Sequence, residues 1–204
     1  MTRIVLTRHG EVPGIAPATF RGRADLRLTE RGRAQAAATA RRIAECWRPA
    51  NIYTSPLRRC VDTARVIGAA CGVSVSVLEA LNDIDYGAWQ GLSCDEVRER
   101  EPEAYRRWLS SPQTVRFPQG ESLQDLATRA ADALRYLIGH HSDDTVVLVG
   151  HDSSNRALLL HVLDLPLSGY WRIAQDPCAI SQVRVDGERG VVASMNETNH
   201  LASL

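Results

Sequence analysis

The chain has 204 residues, and its 24 basic residues, all arginine, are balanced by 24 acidic ones, so the formal net charge is zero. This length suits a single domain, which we expect to span residues 1–204. Because no block of like charge appears, the sequence argues against nucleic acid or a membrane surface as the main partner.

The five cysteines are widely spaced and form no C-x-x-C pair, which argues against a disulfide framework and a structural zinc site. No apolar run resembles a signal peptide or approaches the length of a membrane span. We therefore expect a cytoplasmic protein with reduced thiols.

Short β-branched runs alternate with helical patterns in the first half of the chain. Arg3 to Thr7 is the first predicted strand, and Thr29 can cap a helix through the alanine-rich stretch 33–45. A second short strand follows at 51–54, and Ser55-Pro56 is typical of the N-cap and first residue of the next helix.

The second half continues the alternation and ends in a predicted hairpin. Its predicted elements are a strand at 73–77, a helical hairpin over 93–109 opened by a Ser93 capping box, a helix from Ser122 to about Gly139, a strand at 145–149, a helix beginning near Ser153, and an antiparallel hairpin over 179–185 and 190–194. This order predicts an α/β sheet.

Two histidines follow predicted buried strands directly. His9 comes after Ile4-Val-Leu-Thr-Arg, and His151 comes after Val146-Val-Leu-Val-Gly. Ligands of open α/β sheets bind outside the carboxyl ends of the strands, so we expect both histidines at one shared site.

Two arginines are predicted to join the histidines. Arg8 precedes His9, and Arg58 falls on the first turn of the helix predicted to begin at Pro56, where an anion is favoured. Arg59 is expected on another face as a solvated cation. Two guanidiniums with two imidazoles suit a phosphate group better than a metal ion, because fixed cations repel a divalent ion.

Four motifs in this order resemble the histidine phosphatase superfamily, also called the phosphoglycerate mutase-like family. They are "TRHGE", "SPLRRCVDTA", "YGAWQG" and "VVLVGHD". The resemblance covers nearly the whole chain, and the combination of Arg-His-Gly, Ser-Pro-Leu-x-Arg and a late histidine is specific. With the predicted elements it implies a three-layer α/β/α sandwich with a mostly parallel central sheet and an antiparallel edge strand.

The resemblance also implies a role for each matching residue. His9 would attack phosphorus as the nucleophile, while Arg8, Arg58 and His151 would bind the phosphoryl oxygens. No metal or other cofactor is implied. The family usually has a glutamate general acid where this chain has Asp83, one methylene shorter, and Asp85 is the alternative acid.

Four further residues flank these motifs. Arg21, Tyr86 and His200 are candidates for binding the rest of the substrate, and Trp89 could line the same pocket. Equally simple interpretations are a loop cation for Arg21, packing aromatics for Tyr86 and Trp89, and a tail residue for His200.

The sequence thus predicts a metal-independent phosphatase that hydrolyses a small phosphorylated metabolite through a phosphohistidine. A cofactor-dependent phosphoglycerate mutase is one alternative. A phospholigand-binding protein without turnover is another, because Asp83 replaces the usual glutamate. A homodimer is plausible if Trp89 or the edge hairpin is exposed.

Overall fold

The protein is described by a computed structural model that covers residues 1–187 and 189–204. Within these residues, six strands form one sheet and six α-helices pack around it. The strands are β1 (Thr2–Arg8), β2 (Asn51–Thr54), β3 (Val75–Val77), β4 (Thr145–Gly150), β5 (Ile180–Asp186) and β6 (Arg189–Glu197). The helices are α1 (Glu30–Cys46), α2 (Arg58–Cys71), α3 (Cys94–Arg100), α4 (Pro102–Ser110), α5 (Leu123–His140) and α6 (Asp152–Val162).

The sheet has the strand order β3-β2-β4-β1-β5-β6. The first four strands are parallel, and β5 runs antiparallel to both β1 and β6. The predicted hairpin, β5 and β6, therefore forms one edge of the sheet. The edge strand is β6, and the strand that runs antiparallel to its neighbours is β5, next to the edge. Glu188, in the middle of the predicted turn, lies outside the described residues.

Alternate residues of the central strands pack against different helices. Val5 and Val147 belong to a core cluster with residues of α1 and α2, such as Ile43. Leu6 and Leu148 belong to a second cluster with residues of α5 and α6, in which Leu126 and Leu158 are fully or almost fully buried. Strands buried on both faces are typical of a parallel sheet between two helical layers, and the predicted three-layer α/β/α fold is confirmed.

Three predicted helix caps, Thr29, Ser93 and Ser122, agree with the structure, and the predicted cap Ser55 does not. The Thr29 side chain caps α1 by accepting from the Gly32 N–H, and Ser93 forms a complete capping box at α3. Helix α2 begins at Arg58, after Leu57 in an extended conformation, and not at Pro56 as predicted. Its start is delayed because the Ser55 N–H still donates to the Val149 carbonyl at 3.1 Å and so continues the pairing of β2 with β4.

No helix of the described ranges is both long and apolar enough to cross a lipid bilayer.

Candidate active site

The carboxyl ends of three parallel strands meet at the candidate site. In the register of β1 with β4, Arg8 lies opposite Gly150, so His9 and His151 are the next residues on each strand. The His9 N–H donates to the Gly150 carbonyl at 3.0 Å, and the two imidazole centroids are 5.2 Å apart. The structure therefore brings the two predicted histidines together, both almost completely buried.

The hydrogen bonds of His9 define its tautomer. Its Nδ1 lies 2.7 Å from the Gly10 carbonyl oxygen. Because a carbonyl oxygen can only accept, Nδ1 must carry the ring proton, and Nε2 keeps a lone pair that accepts from Arg59 Nε at 3.2 Å. The pKa of His9 is held well below its usual value, mainly by burial and then by the charges of Arg59, His151 and Arg8. The imidazole is thus neutral, and Nε2 is its unprotonated nitrogen.

A close backbone approach explains the glycine after His9. A Cβ atom on Gly10 would lie 2.3 Å from the Gly32 carbonyl oxygen in the first turn of α1. The Gly10 N–H also donates to the Thr63 hydroxyl of α2 at 3.2 Å. Only glycine fits between these contacts without displacing backbone.

The structure corrects the prediction for the two adjacent arginines. The Arg58 side chain is 46% exposed and pairs with Asp62 on the same helix at 3.6 Å, outside the site. Arg59 is completely buried and contacts His9, although it was predicted to be a solvated cation. The later start of α2 changes which side chain points inward. The sequence did contain the signal, because the last residue of Ser-Pro-Leu-x-Arg is Arg59.

Arg59 is fixed by backbone and carboxylate contacts together. Its Nη1 donates to the Ala24 carbonyl and its Nη2 to the Gly22 carbonyl, each at 2.7 Å. Nη2 also lies 2.9 Å from Asp83 Oδ2 and 3.2 Å from His151 Nδ1. A guanidinium held in this way needs little reorganisation to bind an anion.

Arg8 is the second guanidinium of the site, as predicted from the sequence. It is 6% exposed, and its Nη1 donates to the Gln175 carbonyl at 2.7 Å. Its Nη2 lies 3.9 Å from Asp152 Oδ1, and its Nε has no hydrogen-bond partner among the described residues. This N–H is available to an incoming anionic oxygen.

His151 is held by residues that the sequence analysis assigned to other roles. Its Nε2 lies 2.8 Å from the hydroxyl of Ser55, which was predicted only as a helix cap. Its Nδ1 lies 3.4 Å from Asp83 Oδ2. Burial and then the charge of Arg59 hold the pKa of His151 well below its usual value.

Two carboxylates near the histidines have opposite pKa shifts. Burial raises the pKa of Asp83, although Arg59 opposes the effect, and its oxygens accept from Ser153 and from the Ile84 N–H. Burial alone would also raise the pKa of Asp152, but Arg8 and Arg156 hold it below its usual range. Environments that separate two carboxyl pKa values in this way suit one proton donor and one permanent anion.

Asp85, the alternative acid, occupies a different environment. Its Oδ1 accepts from the Gly87 N–H at 2.9 Å, and its Oδ2 pairs with Arg23 at 3.3 Å. No hydrogen bond or ion pair links it to His9 or His151. Of the two candidate acids, the structure places only Asp83 beside the histidines.

Comparison with known proteins identifies the family. The family model for the histidine phosphatase superfamily (branch 1) matches residues 4–198. The chain belongs to the histidine phosphatase superfamily. Its activity class is accordingly that of a phosphoric monoester hydrolase.

Similar proteins cover almost the full length of this histidine phosphatase. "Phosphoserine phosphatase 1" of Hydrogenobacter thermophilus is 33% identical over 98% of this chain and 95% of its own. "Metal-independent phosphoserine phosphatase" of Arabidopsis thaliana is 33% identical over 100% of this chain and 85% of its own. The solved structure of Bacillus stearothermophilus YhfR superposes with a TM-score of 0.93 at 29% identity, over 98% of this chain and 100% of that one.

A pocket of about 320 Å³ opens beside Arg8 of this histidine phosphatase. Arg21 and Tyr86, both predicted to contact substrate, line it together with Asp152. Arg156, which the sequence analysis did not single out, lies behind Asp152 and donates to its Oδ2 at 3.1 Å. The pocket therefore extends from Arg8, next to His9, to exposed side chains such as Leu109.

The other two flanking residues lie outside this pocket. Trp89 is 1% exposed, and its Nε1 donates to Glu101 at 3.0 Å, so it is a packing residue of the core. The structure does not place His200, which was predicted to bind substrate, in this pocket. Its ring contacts the Thr39 hydroxyl at 3.0 Å and the Cys178 carbonyl at 3.1 Å, because the C-terminal segment packs on α1.

The donor set of this site is cationic and imidazole-rich. In residues 1–187 and 189–204, no three histidine, cysteine, aspartate or glutamate side chains are grouped to hold a metal ion. The side chains around His9 can bind an anion, supply a nucleophilic nitrogen and hold a proton on a buried carboxyl group.

Proposed function

We propose that the protein hydrolyses a small phosphate monoester without a metal ion, through a phosphohistidine on His9. The observation that carries this proposal is the His9 imidazole, whose Nδ1 is tied to the Gly10 carbonyl while Nε2 presents a lone pair among Arg8, Arg59 and His151. A neutral imidazole nitrogen in such a setting is a nucleophile suited to phosphorus.

Phosphoryl binding would give the Arg59 Nε–H a new acceptor. In the described state, Arg59 Nε donates to the same His9 nitrogen that must attack. A phosphoryl oxygen is a better acceptor than an imidazole, so its arrival would take over this N–H and release the Nε2 lone pair. The Nε–H of Arg8, which has no partner among the described residues, and an N–H of the neutral His151 ring would bind the remaining oxygens, while the two guanidiniums neutralise their charge.

Asp83 would supply the proton for the leaving group. In the first step, the bond from His9 Nε2 to phosphorus forms as the ester P–O bond breaks, and protonated Asp83 gives its proton to the departing alkoxide. In the second step, the Asp83 carboxylate takes a proton from water while the water oxygen attacks phosphorus and the P–N bond breaks. The raised pKa of the buried Asp83 supports its role as acid in the first step.

The proposal is tested by phosphate release and by trapping the intermediate. We expect the protein to release phosphate from p-nitrophenyl phosphate and from alkyl phosphates, phosphoserine among them, with EDTA present. Acid-labile, base-stable phosphate on the quenched enzyme, mapped to the His9 peptide, would identify the phosphohistidine. Absence of both turnover and phosphoenzyme would overturn the proposal and favour a phospholigand-binding protein.

The same assay separates hydrolysis from mutase activity. A cofactor-dependent phosphoglycerate mutase would convert phosphoglycerate isomers only when 2,3-bisphosphoglycerate is supplied. We expect phosphate release without that cofactor, because water is the proposed acceptor of the phosphoryl group. Isomer conversion that exceeds phosphate release would support the mutase alternative instead.

Asp83→Asn is expected to slow the cleavage of different esters to an extent that depends on their leaving groups. An asparagine cannot protonate an alkoxide, so kcat/KM for an alkyl phosphate, which reports the first step, should fall by roughly 100- to 1,000-fold. Because p-nitrophenolate leaves without a proton, kcat/KM for its ester should fall by no more than about tenfold, while kcat falls for both esters because they share the second step. The alkaline fall of kcat/KM with alkyl phosphates, where Asp83 loses its proton, should disappear in the variant.

Asp85→Asn is the control, since this carboxylate lies in the same loop but contacts Arg23 and the Gly87 N–H. Its activity should stay within about threefold of the wild type on both esters. An equal loss of kcat/KM on both esters in Asp83→Asn would contradict the assignment of Asp83 as the acid.

A further inference from the structure

The pocket beside Arg8 has a lining that differs from that of the phosphate site. Away from Arg8, Arg21 and Asp152, its wall is mainly aromatic and aliphatic, with Phe20, Tyr86, Tyr105, Trp108, Leu109 and Trp171 as the larger side chains. A volume of about 320 Å³ falls within the range of sites for whole small molecules, roughly 300–1,000 Å³. The leaving group of a substrate would lie against this wall.

The aromatic wall is held in place by packing among the rings. Phe20 and Tyr86 meet edge to face at 5.0 Å, as do Trp108 and Trp171. The Trp171 Nε1 donates to the Trp108 carbonyl at 2.8 Å, and the Arg156 guanidinium lies 5.1 Å from the Trp171 ring. Such a wall would lose little conformational freedom on binding, which favours affinity for an apolar group.

The polar end of the pocket offers little to a substrate ammonium group. Among the residues that the structure describes, Asp152 is the only carboxylate in the lining, and it already pairs with Arg156 at 3.1 Å and with Arg8 at 3.9 Å. With Arg21 also present, the charged groups of the lining sum to a positive charge. A primary ammonium would have to compete with two guanidiniums for a single carboxylate.

We propose that this pocket selects phosphate monoesters whose alcohol carries an aromatic or similarly planar apolar group. The inference rests on the proposed phosphatase function and names the substrate class of that same site. Removing a phenyl-sized group from water against the aromatic wall should favour such esters over zwitterionic ones of similar length by roughly 10- to 100-fold in kcat/KM.

The test compares 2-phenylethyl phosphate with O-phosphoethanolamine and phosphoserine. All three are esters of primary alcohols, so differences in kcat/KM report recognition more than leaving-group chemistry. Dissociation constants of 3-phenylpropylphosphonate and 3-aminopropylphosphonate, which cannot be hydrolysed, are measured by calorimetry in parallel. We expect the phenyl compound to be preferred in both measurements.

A matched pair of exposed leucines locates the effect. Leu109 lines the pocket and is 52% exposed, while Leu165 lies outside the lining and is 49% exposed. Leu109→Asn should reduce the preference for the phenyl compounds severalfold, and Leu165→Asn should leave it unchanged. Because both side chains are exposed, neither change is expected to unfold the protein.

The outcomes separate this inference from the proposed function. Equal or tighter binding of the aminopropyl compound would overturn the substrate class, whether or not esters are hydrolysed. A phenyl preference in the phosphonates with no turnover of any ester would support the pocket assignment and count against the phosphatase mechanism. A phenyl preference unaffected by Leu109→Asn would overturn the assignment to this pocket.

Discussion

His9→Ala is expected to lower phosphate release by at least about 1,000-fold, because the variant lacks the imidazole that is proposed to attack phosphorus. The other imidazole, His151, points its Nε2 at the Ser55 hydroxyl, 2.8 Å away, and its Nδ1 towards Arg59 and Asp83. Steady-state release of phosphate from p-nitrophenyl phosphate measures the loss. Quenched samples of the variant should carry no acid-labile phosphate.

The control for this variant is His200→Ala. His200 packs against α1 and contacts Thr39 and Cys178, so loss of its side chain should change the rate by no more than about twofold. Turnover retained by His9→Ala, or a phosphoenzyme that still forms in it, would show that another residue is the nucleophile.

The second large effect is expected from Arg59→Ala, with a fall in kcat/KM of roughly 100- to 1,000-fold. The guanidinium lies 3.2 Å from His9 Nε2 and 2.9 Å from Asp83 Oδ2, so its removal takes away the proposed phosphoryl-binding group and the cation beside the proposed acid. Arg59→Lys keeps the charge but loses the planar fork that also binds the Gly22 and Ala24 carbonyls. It should recover only part of the activity.

Arg58→Ala is the matched control, because the neighbouring side chain is 46% exposed and pairs with Asp62. Its activity should stay within about twofold of the wild type. Thermal unfolding of all three variants distinguishes a chemical effect from loss of the fold. If Arg58→Ala lost as much activity as Arg59→Ala at equal thermal stability, the placement of these two side chains would be wrong.

The elements that carry the histidines could be predicted from the sequence because their signals are local. Runs such as Ile4-Val-Leu and Val146-Val-Leu-Val are buried on both faces of a parallel sheet, and such strands have a continuous apolar pattern. Once both strands are parallel and adjacent, the position of His9 relative to His151 follows from the register alone.

Which of Arg58 and Arg59 points into the site depends on a contact between distant parts of the chain, and local sequence signals do not contain this information. Ser55-Pro56 has the composition of a helix start, but the Ser55 N–H is already used by β4, a contact between residues far apart in the chain. A shift of two residues in the start of α2 is enough to exchange the directions of Arg58 and Arg59, since successive helical residues differ by about 100°. The position of His200 likewise depends on tertiary packing of the C-terminal segment against α1.

The register of β1 with β4 has a consequence for how this protein could change its substrate. His9 and His151 are spaced by a strand pair, whereas the pocket wall comes from the segment after β1, from the loop that carries Tyr86, from α3 and α4, and from the turn that carries Trp171. Residues in those outer segments can be exchanged without altering the distance between the two imidazoles. Selection or design could therefore vary the alcohol that is recognised while the phosphoryl chemistry is inherited unchanged.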